Sequence, residues 1–182
     1  MIFIQNEPWC PGSEPTPAPA SSPGAGLDSG PGSAPPPSPR TLRVPTDTAM
    51  RELGRELAGR LRAGDLVILS GPLGAGKTTL VQGIGAGLRV RGPVTSPTFV
   101  IARVHPGPGP SLVHADAYRL GSVDEVDDLD LDTADAVTVV EWGRGLVEGL
   151  AEDRLEISIE PDADGDARTV RITGHGDRWS CE

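Results

Sequence analysis

The chain has 182 residues, 16 of them basic and 26 acidic, so its formal net charge is −10 and its pI is near 4.7. That charge disfavours non-specific binding to nucleic acid, because phosphates are repelled unless a local basic patch compensates. The length suits one ordinary domain with an appendage, and the longest apolar runs are far too short to cross a bilayer. The two cysteines, Cys10 and Cys181, stand at opposite ends of the chain and match no metal-ligand spacing. We therefore expect a reduced, cytoplasmic protein with no membrane partner.

The N-terminal segment, residues 1–40, differs sharply in composition from the rest of the chain. It holds 11 of the 19 prolines, with 5 glycines, 6 serines and only four charged residues. Such a segment buries too little apolar surface to offset about 1–2 kcal/mol of backbone entropy per residue. We predict that residues 1–40 are a disordered extension, or that the translation start is placed too far upstream; a polyproline II ligand built on residues 35–39 is the functional alternative.

Residues 41–173 are predicted to form one α/β domain, followed by a short tail over 174–182. The first predicted elements are a strand over 42–44, a helix from residues 46–48 to Gly64, a strand over 66–69 and a helix from Lys77 to about Leu88. Four further strands are predicted over 100–104, 112–115, 136–140 and 155–159. A final hairpin has its turn at 162–166 and a strand over 169–173. The run at 66–69 is continuously apolar, as in strands buried on both faces of a sheet. The alternation of strands and helices along the chain predicts an α/β fold with a central sheet, mixed parallel and antiparallel, flanked by helices.

The strongest chemical signal is the segment that joins the strand at 66–69 to the second long helix. Residues 71–78, called the glycine loop below, match the pattern G-x-x-x-x-G-K-[ST] and have a buried strand before them and a helix after them. Glycines allow consecutive backbone N–H groups to turn inward around phosphates, Lys77 can reach the β- and γ-phosphates, and Thr78 can hold Mg²⁺. The pattern therefore predicts a P-loop NTPase-like fold. The predicted nucleotide-binding residues here are Gly71, Pro72, Leu73, Gly74, Ala75, Gly76, Lys77, Thr78 and Thr79.

Lysine usage narrows the choice of nucleotide. Fifteen of the 16 basic residues are arginine, and the single lysine of the chain is Lys77. The compact ammonium of lysine contacts phosphate oxygens differently from the planar guanidinium of arginine. GTPases read guanine with an Asn/Thr-Lys-x-Asp element, and this chain has no second lysine to build one. We therefore predict ATP, with Mg²⁺, as the ligand.

Two carboxylates end predicted strands and are candidates to complete the site. Asp116 follows the strand at 112–115, and Glu141 follows the strand at 136–140. Either can be the acidic residue that completes Mg²⁺ coordination, the alternative for each being an ordinary carboxylate at a strand end. His114 shares a strand face with Asp116 by the period of two, which predicts a hydrogen bond between them.

Aromatic residues are scarce in the predicted domain, and each adjoins a polar motif. Phe99, Tyr118 and Trp142 are the three aromatics between residues 41 and 174. Since the remaining apolar residues are aliphatic, we expect these rings to line the nucleotide pocket, with simple core packing as the alternative.

Four motifs together identify a family resemblance. The segments GPLGAGKTT, VTSPTF, HADAYRL and VVEW, in this order, resemble the TsaE (YjeE) family, whose members are bacterial P-loop ATPases needed for the threonylcarbamoyladenosine modification of tRNA. The resemblance covers about residues 42–160. It implies ATP hydrolysis within a complex with the TsaB and TsaD proteins, in which TsaD acts on tRNA and this chain meets tRNA only through the complex.

The resemblance also assigns roles to residues of this chain. It implies that Lys77 binds phosphate and serves catalysis, that Thr78 and Glu141 bind Mg²⁺, that Asp116 is the catalytic aspartate, and that Thr98 lies in a switch-like loop at the catalytic site.

Pro72 departs from the family pattern, which commonly has Asp after the first glycine. Proline lacks an N–H and fixes φ, so one possible phosphate donor of the loop is missing. Asp47, Trp142 and Arg144 are further candidates for contact with the nucleotide.

Two other functions stay open at this point. A P-loop small-molecule kinase would share the glycine loop but needs an arginine-bearing lid, for which only scattered arginines such as Arg89 and Arg119 are available. A non-catalytic assembly protein would use ATP binding alone to drive association.

Overall fold

The computed structural model describes residues 39–97, 101–119, 125, 134–163 and 165–179. The strands and long helices are β1 (Arg40–Val44), α1 (Asp47–Ala58), β2 (Leu66–Ser70), α2 (Lys77–Leu88), β3 (Ala102–His105), β4 (Ser111–Asp116), β5 (Ala136–Glu141), β6 (Arg154–Pro161) and β7 (Arg168–His175). The strands form one sheet in the order β1-β7-β6-β2-β5-β4-β3.

The sheet is parallel at its centre and antiparallel at its edges. β2 lies between β5 and β6 and runs parallel to both, and β4 runs parallel to β5. β1 with β7, β7 with β6, and β3 with β4 pair antiparallel. Because β2 has neighbours on both sides and a core on both faces, residues 66–69 are all buried, as their apolar run predicted. The predicted α/β fold with a mixed sheet is confirmed.

Both long helices pack on one face of the sheet. Their apolar side chains join those of β2, β5, β6 and β7 in the larger core cluster, while a smaller cluster around Ile68 and Val140 covers part of the other face. The two helices meet at glycines: a Cβ on Gly54 of α1 would come within 2.4 Å of the carbonyl oxygen of Leu80 in α2. Among the described helices, none has the length and apolar character of a bilayer-spanning segment.

The first helix ends earlier than the sequence indicated. It begins with Thr46, whose hydroxyl accepts from the N–H of Ala49 at 3.1 Å, and it ends at Ala58 with Gly59 as C-cap. Gly64, predicted to close it, instead has φ of 90° and donates its N–H to the carbonyl of Ala136 at 2.9 Å. The local periodicity could not show that this segment is bonded to β5.

The C-terminal boundary also differs from the prediction at residue 173. β7 continues to His175, and a 3₁₀ turn over Asp177–Trp179 places Trp179 in the larger core, with 5% of its surface exposed. Residues 174–179 are therefore part of the domain rather than a tail. Residues 1–38 of the predicted extension lie outside the described residues, whereas Arg40 begins β1.

Candidate functional site

The glycine loop turns the chain from β2 into α2 and encloses the ammonium of Lys77. Nζ of Lys77 donates to the carbonyl oxygens of Gly71 at 2.9 Å and Pro72 at 3.0 Å, and it lies 4.0 Å from the centroid of the Trp142 ring. Only 5% of Lys77 is exposed. Pro72, which has no N–H to offer, thus contributes its carbonyl to the loop. The structure thus places Trp142 next to the glycine loop, and its contact with a nucleotide stays a prediction.

The first turn of α2 is open to an anion. Its N-cap is Gly76, and no side chain of the described residues caps its free N–H groups, in contrast to the Thr46 cap of α1. Uncapped N–H groups and the positive end of the helix dipole favour a phosphate at this position. Thr78 and Thr79 lie in this turn.

Burial lowers the pKa of Lys77 below its ordinary value of 10.5, while the carboxylates of Glu141 and Asp116 act in the opposite direction. Both carboxylates therefore lie near enough to act on the ammonium. A partly desolvated ammonium with two carboxylates close by is a perturbed group of the kind that clusters at functional sites.

Glu141 is the centre of a buried hydrogen-bonded group. Its Oε1 accepts from Oγ1 of Thr78 at 2.8 Å and lies 2.9 Å from Nε2 of His114. Glu141 is 3% exposed and His114 is fully buried. The predicted hydrogen bond from His114 to Asp116 is thus replaced by one to Glu141, because the parallel pairing of β4 and β5 brings the two strands side by side.

The oxygens of Thr78 and Glu141 suit a hard divalent cation. Mg²⁺ is usually bound by one or two protein oxygens together with phosphates and water, rather than by a cage made wholly of protein. A hydroxyl and a carboxylate already in contact beside an open helix N-terminus fit that description. Within the described residues, no three His, Cys, Asp or Glu side chains form a closed metal cluster.

Asp116 stands opposite Glu141 in the β4–β5 ladder, at the carboxyl end of both strands. It is 5% exposed, its Oδ1 accepts from the N–H of Tyr118 at 2.9 Å, and its own N–H donates to the carbonyl of Ile101 at 2.8 Å. These bonds fix Asp116 at the end of β4, where its carboxylate acts on the ammonium of Lys77. The two strand-end carboxylates picked from the sequence are therefore neighbours.

The aromatic residues meet the site only in part. The ring of Tyr118 lies 5.2 Å from that of Trp142, so these two form one wall beside Lys77. Thr98 and Phe99 lie outside the described residues. The nearest described residues are Pro97 and Ile101, which are joined by a hydrogen bond of 2.8 Å from the N–H of Ile101 to the carbonyl of Pro97.

Arg168 links Asp47 to the glycine loop and was not expected from the sequence. Its Nε donates to the carbonyl of Ala75 at 3.3 Å, and its Nη2 lies 3.8 Å from Oδ1 of Asp47. Asp47 thus reaches the loop through a second side chain. An arginine on β7, far beyond the loop in the chain, carries no local motif; only the pairing of the strands brings it there.

Among the described residues, Arg144 makes no hydrogen bond or ion pair with Lys77 or Thr78. It lines a cavity of about 110 Å³ together with side chains of β2, β6 and β7, among them Ser70, Glu156 and Arg171. Those side chains alternate with the ones that pack against the helices, so the cavity is on the opposite face of the sheet.

The mixed sheet, with a glycine loop between its central strand and a helix, defines an α/β protein with a P-loop-like fold. The family model described as "Threonylcarbamoyl adenosine biosynthesis protein TsaE" matches residues 44–170. A "tRNA threonylcarbamoyladenosine biosynthesis protein TsaE" of Streptomyces coelicolor is 64% identical over 139 residues, which cover 72% of this chain and 94% of that protein. The protein of the same name in Mycobacterium tuberculosis is 49% identical over 140 residues, or 70% of this chain and 83% of the relative.

A crystal structure of Bacillus subtilis YdiB is similar in fold. It superposes with a TM-score of 0.65 at 30% identity and covers 78% of this chain and 89% of that one. The chain belongs to the TsaE family, whose name assigns it to the biosynthesis of threonylcarbamoyladenosine in tRNA.

Proposed function

We propose that this chain is a Mg²⁺-dependent ATPase that serves tRNA threonylcarbamoyladenosine biosynthesis together with TsaB and TsaD. The observation that carries the proposal is the 2.8 Å hydrogen bond between Thr78 of the glycine loop and Glu141 at the end of β5. A glycine loop that bound no metal ion would have no need of a buried carboxylate bonded to its threonine. Family membership supports the same assignment.

In this proposal, the glycine loop binds the phosphates of ATP. The N–H groups in the first turn of α2 have no side-chain cap and are fixed by the helix, so they need little reorganisation to bind phosphate. The ammonium of Lys77, which the carbonyls of Gly71 and Pro72 hold at the loop, supplies positive charge there. Thr78 and Glu141 hold Mg²⁺, which when bound neutralises charge on the phosphate oxygens. Catalysis of phosphoryl transfer rests largely on such positioning and charge stabilisation.

Asp116 has the separate role of orienting the attacking water and accepting its proton. It lies next to Glu141 in register, but its carboxylate accepts from the N–H of Tyr118, whereas that of Glu141 accepts from Thr78. A general base of this kind contributes about 10²–10⁴-fold to the rate. Loss of Asp116 should therefore lower the rate of hydrolysis, whereas loss of Glu141 should also weaken Mg²⁺-dependent binding of ATP.

Partner proteins are part of the proposal because the mouth of the site is open and partly apolar. Leu73, in the glycine loop, is 92% exposed, and Tyr118 is 65% exposed. We infer that a partner protein covers these two side chains when the complex forms. We expect slow hydrolysis by the chain alone and faster hydrolysis with TsaB and TsaD present.

The proposal is tested by comparing Glu141→Ala and Asp116→Ala in Mg²⁺ titrations of ATP binding and in assays of phosphate release, alone and with TsaB and TsaD. Glu141→Ala should weaken Mg²⁺-dependent binding as well as hydrolysis, whereas Asp116→Ala should keep binding and lose about 10²–10⁴-fold in rate. Lys77→Ala should lose hydrolysis, and Glu160→Ala, which removes an exposed carboxylate of β6, serves as the matched control.

Three outcomes would contradict the proposal. Phosphorylation of an acceptor in place of phosphate release would make the chain a kinase. Full function of Asp116→Ala in the complex would make it an assembly protein that needs only ATP binding. If Asp116→Ala changes the Mg²⁺ titration and Glu141→Ala does not, the roles of the two carboxylates are reversed.

A further inference from the structure

His114 is a fully buried histidine that the proposed chemistry leaves without a role. It lies in the middle of β4, and its Nε2 is 2.9 Å from Oε1 of Glu141. The same oxygen accepts from Thr78 at 2.8 Å. One carboxylate oxygen therefore meets two side chains, one from β4 and one from α2.

The surroundings of the ring decide which nitrogen carries the proton. An ionised carboxylate only accepts hydrogen bonds, so Nε2 of His114 must be the donor. Nδ1 is buried and has no hydrogen-bond partner among the described residues. A proton on Nδ1 alone would be a buried donor without an acceptor, and it would leave the lone pair of Nε2 facing an oxygen that only accepts. The contacts thus favour the tautomer with its proton on Nε2.

We propose that His114 is the positioning residue for Glu141: its Nε2–H fixes Oε1 against Thr78 and so orients the carboxylate for Mg²⁺. This inference rests on the proposed role of Glu141 as a metal ligand. A glutamate side chain has three rotatable bonds, and two donors on one oxygen restrict them before the metal arrives. With Oε1 shared in this way, the remaining lone pairs of the carboxylate are the ones that a metal ion can use. Hydrogen-bond partners of metal ligands typically change metal affinity by about 10–100-fold.

The chain offers a conservative variant, a disruptive variant and a matched control. His114→Gln keeps an N–H donor on a side chain of similar reach, while His114→Leu keeps the bulk and removes the donor. Thr138→Val is the control, because Thr138 is a fully buried polar residue of the neighbouring strand whose hydroxyl has no partner among the described residues. It alternates with Val139 along β5 and so faces away from Glu141.

The experiment measures ATP binding by the full chain as Mg²⁺ is added. His114→Leu should need about 10–100-fold more Mg²⁺ to reach the same ATP affinity. His114→Gln should recover most of that loss, Thr138→Val should match the wild type, and ATP binding without Mg²⁺ should be equal in all four proteins. In the metal-free wild type, nitrogen NMR of the imidazole should show the proton of His114 on Nε2 alone.

The outcomes separate this inference from the proposed function. A flat Mg²⁺ titration of the wild type overturns the metal role of Glu141 and this inference with it. A normal wild-type titration that His114→Leu leaves within twofold overturns this inference alone, and so does a His114→Gln variant as impaired as His114→Leu. A proton found on Nδ1 alone also overturns it, whatever the titrations show. If His114→Leu does not fold, the His114→Gln titration and the NMR assignment decide.

Discussion

Replacing Gly54 with alanine should destabilise the domain by about 2 kcal/mol, because α1 and α2 touch backbone to backbone at this residue. A Cβ on Gly54 would lie 2.4 Å from the carbonyl oxygen of Leu80 and 2.8 Å from both Cα of Gly83 and N of Ile84. All three atoms belong to the backbone of α2, so no side chain can rotate away. The helices have to move apart instead.

The magnitude follows from two opposing effects. Overpacking a filled core costs about 1–3 kcal/mol, and a clash with the backbone belongs near the upper end of that range. Alanine in place of glycine regains about 1 kcal/mol of helix propensity. The difference of about 2 kcal/mol is a large part of the ~5–15 kcal/mol that stabilises a typical domain.

Urea unfolding followed by circular dichroism measures the effect, and Gly59→Ala is the matched control. With a slope of about 1–3 kcal/mol per molar urea, the midpoint for Gly54→Ala should fall by roughly 1 M. Gly59 caps the same helix at φ −65°, and a Cβ there meets only the carbonyl of Glu56 at 3.4 Å, so the control should be neutral or slightly stabilising. A Gly54→Ala protein as stable as the wild type would refute the close helix contact.

Three further predictions concern the glycine loop. Burial lowers the pKa of Lys77 below 10.5, and bound phosphates favour the charged ammonium, so ATP binding at alkaline pH should take up a proton and weaken as the pH rises. Calorimetry in buffers of different ionisation enthalpy measures this proton uptake, and a binding heat that does not depend on the buffer would contradict it. Arg168→Gln should lower ATP affinity about threefold to tenfold by weakening the bond to the carbonyl of Ala75, as an equilibrium titration can measure. Arg43→Gln, in an exposed ion pair of the same sheet, should have no effect, and equal affinities of the two variants would contradict the role of Arg168. Finally, ATP should displace a bound nucleotide analogue at far lower concentration than GTP does, and equal displacement would count against the assignment of ATP.

The parts of the fold that were predicted from the sequence are those with strong local signals. The apolar run at 66–69, the glycine loop and the helix from Lys77 to Leu88 agree with β2 and α2, because each is specified by residues close together in the chain. The sequence also indicated that Asp116 and Glu141 end strands, and carboxylates that end parallel strands lie at the same edge of a sheet.

What the sequence could not show depends on contacts between distant segments. The bond from Arg168 to the glycine loop requires that β7 lie near β2, and no residue spacing encodes that neighbourhood. The period of two along one strand predicts Asp116 as the partner of His114, whereas the partner in the structure is Glu141 of the neighbouring strand. The end of α1 was misplaced for the same reason, because Gly64 is bonded to Ala136, which belongs to a strand much further along the chain.

The central place of β2 in the sheet has a consequence for synthesis of the chain on the ribosome. β2 ends at Ser70, whereas its two partners begin much later, β5 at Ala136 and β6 at Arg154. When the glycine loop has just been synthesised, neither partner strand has been made, so β2 is unpaired at that stage. The pairing of β2 therefore requires that most of the chain be synthesised, and a ribosome that stalls before β6 leaves the apolar β2 strand without its neighbours and prone to aggregation.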